Sequence, residues 1–194
     1  AGVSAIMALI LGICAATLGK KVDSAISFAI DTVMGIPHIL LLILISYAMG
    51  KGLKGVIAGV ALTHWTSLAR LIRGEVMQLR ESEYIQIAGK LGLGKWEIAK
   101  KHIVPHVLPQ FIVGLVLLFP HAILHESSIT FLGFGLSTEQ PAIGVILSES
   151  MRYLIMGKWW LAVFPGMMLV LTVVLFEKGG TAIRQLLDPG SVHK

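Results

Sequence analysis

The chain reads as long apolar runs separated by short polar ones, and five of the runs approach the length of a bilayer crossing. A hydrocarbon layer of about 30 Å asks for roughly 20 mostly apolar residues in helical form. Residues 1 to about 18 carry no charge, residues 26 to 49 carry one acid, Asp31, and residues 53 to 71 contain His64. The fourth run, about 103 to 132, is punctuated by Pro105, Pro109 and Pro120, and the fifth, about 160 to 176, holds Pro165. None alternates with period two over the length of a barrel strand, so the pattern predicts membrane helices rather than a transmembrane barrel. With 55% hydrophobic residues, 14% charged and a mean hydropathy of +0.82, the composition agrees.

Lysine and arginine placement sets an expected orientation. Five crossings divide the 16 cations into two sets. Lys20, Lys21, Arg70, Arg73, Arg80, Lys90, Lys95, Lys100, Lys101, Lys178, Arg184 and Lys194 fall on one side; Lys51, Lys54, Arg152 and Lys158 fall on the other. The excess of positive charge on cytoplasmic loops predicts that the first set faces the cytoplasm, with the N-terminus outside and the C-terminus inside. An external start that reads Ala-Gly-Val, with neither a basic leader nor a clear cleavage site, suggests that an earlier segment precedes it. The net charge of +5 is then mostly a topological signal and calls for no nucleic-acid partner. A single cysteine, Cys14 in an apolar run, excludes an internal disulfide framework.

The longest polar passage, residues 83 to 109, sits between two apolar runs. Val76, Leu79, Ile85, Ala88 and Leu91 fit one amphipathic helix over about 74 to 91. Gly92 and Gly94 break it, and Trp96, Ala99 and Ile103 restart a shorter helical pattern. A loop that only satisfied topology would need cations, but not a glycine hinge with Leu93 and Trp96 beside it. Apolar side chains displayed at a turn suit insertion into a groove on a partner.

The same passage resembles the cytoplasmic "EAA" loop of ABC importer permeases, in which E-A-A is followed by three residues, a glycine, nine residues and I-x-L-P. Ala88, Gly92 and Pro105 match at that spacing; Gln86, Ile87, His102 and Val104 stand where the pattern has other residues. Trp65, Ala69, Arg70 and Arg73 resemble a W-x3-A-R-x2-R passage of the peptide and nickel branch. "AILHESSITFLGFGL", "PAIGVILSES" and "LLDP" resemble further passages of that branch in order, with Ile143 at a place that usually holds tryptophan.

This resemblance implies one all-α integral membrane permease domain over residues 1–194: five transmembrane helices, a cytoplasmic coupling-helix loop at about 74–104 and an external loop at about 133–159. It implies a subunit of an ATP-driven importer that performs no chemistry itself and moves cargo inward by alternating access. Gln86, Ala88, Gly92, Leu93, Gly94, Trp96 and Pro105 would carry the contact with the ATPase. The implied partners are cytoplasmic ATP-binding subunits, a second homologous permease and an external substrate-binding protein, within membrane lipid. No G-x-x-x-x-G-K-[ST] phosphate loop occurs in the chain, so no bound cofactor is expected and ATP is used by a separate subunit.

Ionisable residues at membrane depth are functional candidates. His121 and His125, four apart, share one helix face, and imidazole suits nickel, zinc or copper. The pair and His64 resemble the nickel type of permease, which makes them candidates for a translocation pathway. Glu126 follows His125 but sits about 100° round the helix. The other reading of these histidines is hydrogen bonding to a neighbouring helix. A pathway must release its cargo, so no tight metal site is expected. His38, His102 and His106 read as structural, and Trp159 and Trp160 as interfacial anchors.

Two other functions fit the sequence less well. A metalloprotease needs glutamate beside the first histidine of H-E-x-x-H, where this chain has Ala122, so no catalytic residue is assigned. An ion-coupled secondary transporter would show inverted repeats and would leave the glycine-hinged loop unexplained. Nickel or a nickel chelate is the favoured cargo, with short peptides the alternative.

Overall fold

A computed structural model describes residues 1–187, the side chain of Lys95 excepted. Asp188 and Pro189 of the "LLDP" passage, and Lys194, lie outside the described residues. Every ordered element among the described residues is helical: α1 Gly2–Thr17, α2 Lys20–Gly35, α3 His38–Ala48, α4 Gly52–Thr63, α5 Trp65–Glu81, α6 Glu83–Lys90, α7 Lys95–Ile98, α8 Val104–Phe131, α9 Ile143–Leu154 and α10 Trp160–Leu187. A π-helical turn, Ala99–Ile103, joins α7 to α8.

All five apolar runs are helical, but they are not five equivalent spans. Gly52–Glu81, Trp96–Phe131 and Trp160–Leu187 are each long and apolar enough to cross a membrane, whereas α1 has 16 residues. The expected span over 26 to 49 is instead two helices, α2 and α3, bent by 95°. Pro37 explains the bend: a residue before proline is driven out of the helical region, and Ile36 is extended at φ −92°, ψ 135°. The prolines of α8 and α10 do not break them. Pro109, Pro120 and Pro165 lie inside continuous helices.

The expected amphipathic helix over 74 to 91 is also two pieces. Its first part continues α5 to Glu81; Ser82 is then extended, with its hydroxyl donating to the Leu79 carbonyl, and α6 follows. Ser82 competes for the backbone in the way that makes serine favour helix boundaries.

Packing between helices in lipid gains nothing from excluding water, so it rests on close van der Waals approach at small residues. Helix α1 follows this rule: Ser4, Ala5, Ala8, Gly12, Ala15 and Ala16 form its buried face, and α5 lies against it. At Gly12 an added Cβ would sit 2.9 Å from the Ala69 carbonyl oxygen and from Ile72. The main core is built here from Ala5, Ala8, Ala69, Ile72, Val76 and Val107. The contact is reinforced at one end, where the Arg80 guanidinium donates to the Ala16 carbonyl near the end of α1, a favourable place for a cation. Arg73 grips Asp23 with two hydrogen bonds, and Arg70 bonds Asp31, tying α2 to α5.

At the opposite end, the α3–α4 turn meets the loop after α8. Ser46 Oγ donates to the Phe134 carbonyl at 2.7 Å, and the Gly52 N–H donates to the Gly135 carbonyl at 3.0 Å. Helix α10 packs on α8 and α9 and leaves most of its surface uncovered.

A bulky residue at position 12 is therefore expected to push α1 off α5. Gly12→Ile should lower stability by about 1–3 kcal/mol, the usual cost of overpacking. Thermal unfolding in detergent followed by size-exclusion chromatography measures this, with Gly74→Ala, where a Cβ meets nothing within 4 Å, as the variant that should not lose stability.

Candidate functional site

Two places stand out, a histidine-lined cavity within the bundle and an exposed turn at residues 88 to 96. The cavity has a volume of about 610 Å³ and lies between the α2–α3 bend, the α4–α5 junction and the middle of α8. His38 enters as the first residue of α3, directly after the Pro37 bend. His64 is the single residue between α4 and α5, and His125 projects from α8.

The three rings converge. Centroids lie 4.7 Å apart for His38 and His64, 4.4 Å for His38 and His125, and 5.0 Å for His64 and His125. His64 Nε2 and His125 Nδ1 are 3.2 Å apart. Hydrogen bonding fixes the tautomer of His64. The Thr63 hydroxyl donates to the Gly59 carbonyl at 2.9 Å, so toward His64 Nδ1, 3.0 Å away, it acts as acceptor. Nδ1 of His64 thus carries the hydrogen, and Nε2 turns a lone pair toward His125. His64 is buried; His38 and His125 are half-buried.

His121 lines the same cavity but stands apart from this group. It is exposed, and its Nδ1–H donates to the Leu117 carbonyl at 2.9 Å. The i, i+4 pair singled out in the sequence is thus divided, and His38, read there as structural, takes the third place. Glu126 turns away into a second cavity of about 450 Å³ beside α1 and α4. There it accepts from Thr130 Oγ1 at 2.8 Å, and Thr130 in turn accepts from the Leu136 N–H, so the carboxylate anchors the loop after α8. The approach of His38 depends on tertiary folding; an ionisable residue directly after proline in an apolar run was its only local signal.

The exposed turn has a local explanation. Helix α6 ends in a Schellman motif: the Leu93 N–H donates to the Ala88 carbonyl and the Gly92 N–H to the Gly89 carbonyl, both at 3.2 Å. That closure needs a left-handed residue, and Gly92 has φ +91°. Gly94 then supplies the carbonyl that receives the first hydrogen bond of α7, from Ile98. The turn is held to the bundle through Ile85, Ala88, Ala99 and Ile103, all buried. Leu91 and Trp96, by contrast, are 78% and 81% exposed. Leu93 is half-buried, and Gln86 is exposed with its amide donating to the Glu81 carbonyl across the Ser82 break. Pro105 occupies the first turn of α8, just past the π turn. Its ring crowds the carbonyl four residues back and it offers no N–H, and the chain there closes a wider bond, from the Val104 N–H to the Ala99 carbonyl.

A helical bundle with several membrane-length apolar helices, a histidine-lined cavity and an exposed apolar turn defines an all-α, multi-pass integral membrane protein. The chain belongs to the family described as binding-protein-dependent transport system inner membrane component, whose model matches residues 8–191. It is 31% identical over 184 residues to the dipeptide transport system permease protein DppC of Bacillus subtilis, covering 95% of this chain and 58% of that one. It is 35% identical over 179 residues to the DppC protein of Alkalihalophilus pseudofirmus, covering 92% and 59%. With the nickel transport system permease protein NikC of Escherichia coli it shares 30% over 186 residues, covering 94% and 66%. The chain thus spans roughly three-fifths of the length of the dipeptide relatives, 58% and 59%.

The exposure pattern of the turn makes a direct prediction. In a background with Cys14→Ala, Leu91→Cys and Trp96→Cys should react rapidly with a membrane-impermeant maleimide, while Ala88→Cys stays protected. Reaction in right-side-out versus inside-out vesicles reads the side of the membrane at the same time; labelling of residues 91 and 96 from inside-out vesicles alone is the expected result.

Proposed function

We propose that this chain is the permease subunit of an ATP-driven importer of the inner membrane. Residues 83 to 105 face the cytoplasm and dock on a separate ATP-binding subunit. A second permease completes the pathway, and an external binding protein delivers the cargo. The observation that carries the reading is the turn at 88 to 96: two large apolar side chains fully displayed on a backbone that buried anchors hold to the bundle. Such a turn transmits force because it cannot yield independently of α5 and α8. Alternating access then follows when closure of the ATPases rocks the two permeases. Membership of a binding-protein-dependent transport family supports the same reading.

For cargo, the histidine-lined cavity favours nickel or a nickel chelate, and the NikC relative is named for nickel transport. Short peptides are the second reading, supported by relatives named for dipeptide, D,D-dipeptide and oligopeptide transport.

Coupling is tested at Gly92. A β-branched residue in the left-handed region costs roughly 1–2 kcal/mol, so Gly92→Val should distort the turn, whereas Gly92→Asn, which tolerates that region, should not. In reconstituted vesicles Gly92→Val is expected to reduce cargo-stimulated ATP hydrolysis and ATP-driven uptake together by about ten-fold or more, with Gly92→Asn near the unsubstituted protein. Normal coupling in Gly92→Val would overturn the docking reading.

A further inference from the structure

We propose that His38, His64 and His125 together form a three-nitrogen site for a borderline divalent cation such as nickel or zinc, which enters still carrying other ligands. The inference deepens the reading of this chain as a permease and rests on it for the cation's role as cargo, though not for its binding.

The geometry is that of a ligand set. One nitrogen from each ring lies within 4.8 Å of the other two. For metal–nitrogen bonds of about 2.0–2.1 Å, neighbouring ligands stand about 2.8–3.0 Å apart on an octahedral ion and about 3.3–3.4 Å apart on a tetrahedral one. His64 Nε2 and His125 Nδ1, at 3.2 Å, fall between those two spacings, within a few tenths of an ångström of either. The lone pair of His64 Nε2 is directed inward because Thr63 holds the opposite nitrogen as a donor. An outer acceptor on the far ring nitrogen is the usual device that orients a metal-binding imidazole.

The chemistry of the site selects its guest. Imidazole nitrogens suit nickel, zinc and copper, and a set without oxygen donors disfavours magnesium and calcium. No acidic residue is among the described residues that line the cavity. Three neutral ligands leave the ion's double charge uncompensated at membrane depth, a costly arrangement. The guest that fits is therefore a cation whose remaining positions hold anionic groups, as in a carboxylate-bearing chelate. The cavity of about 610 Å³ leaves room for one beside the histidines. The three ligands also come from three separate parts of the fold, and His38 lies just beyond the 95° bend. A movement of α3 about Pro37 would separate it from the other two and free what the site holds.

The test uses the full chain assembled with its partner subunits in lipid nanodiscs, with nickel chloride as the probe. Titration calorimetry should give one nickel per copy of this chain, and X-ray absorption should show imidazole scattering. His38→Gln and His125→Gln should each weaken binding about ten-fold or more, Thr63→Val by a similar factor with the imidazole signature retained, and His106→Gln not at all. Nickel should also raise the unfolding temperature of the unsubstituted protein and not of His38→Gln. Absence of nickel binding, or binding that survives both substitutions, overturns the site. Nickel bound through imidazoles with no ATP-driven uptake of nickel or dipeptide supports the site and removes the importer reading. ATP-driven dipeptide uptake with no nickel bound removes the site and leaves the importer reading standing.

Discussion

The contact between α1 and α5 is the constraint on which the rest of the arrangement depends. Lipid supplies no hydrophobic drive for two helices to meet, so they meet only where side chains are small enough for backbones to approach. Gly12 lies against Ala69 and Ile72 for that reason, and the small residues from Ser4 to Ala16 extend the contact along the helix. Arg80 on the Ala16 carbonyl and the Arg73–Asp23 pair then fix the helices lengthwise. Helix α5, so clamped, is a rod of 17 residues, about 25 Å long at 1.5 Å per residue. His64 and the cavity lie at one end, and the Ser82 break and the apolar turn at the other.

Function in this reading depends on a rigid connection interrupted at few places. The exposed turn is joined to the bundle by buried side chains on both flanks, Ile85 and Ala88 before it and Ala99 and Ile103 after it. The cavity, by contrast, has one wall built on the α2–α3 bend. For the proposed permease, a turn held at both flanks and a cavity wall that includes a bend are complementary features of a machine that would alternate between two openings.

Much of this was legible in the sequence because it is local. Five apolar runs are five helical regions, and the glycine after Ala88 at a spacing of four closes a Schellman motif whose bonds span only residues 88 to 93. The Pro37 bend was also local in principle, since the residue before proline avoids the helical region, but continuous hydropathy on both sides masked it. Ser82 offered no glycine or proline to mark its break. Tertiary relations were not readable: His38 approaches residues 26 and 87 positions away along the chain, and Asp23 and Asp31 find arginines on α5. The i, i+4 spacing of His121 and His125 placed both on one face of α8, yet the His121 ring bonds the Leu117 carbonyl while the His125 ring meets His64.

The π turn at Ala99–Ile103 sits directly between the exposed apolar turn and the unbroken run of α8 that carries His125. An α-helix advances about 100° per residue, and a wide turn absorbs one residue without that advance. The azimuth of every side chain further along α8 is consequently set at this single widened loop of backbone. Tightening it to ordinary pitch would swing the imidazole of His125 by nearly a third of a revolution, like a key turned from its bow.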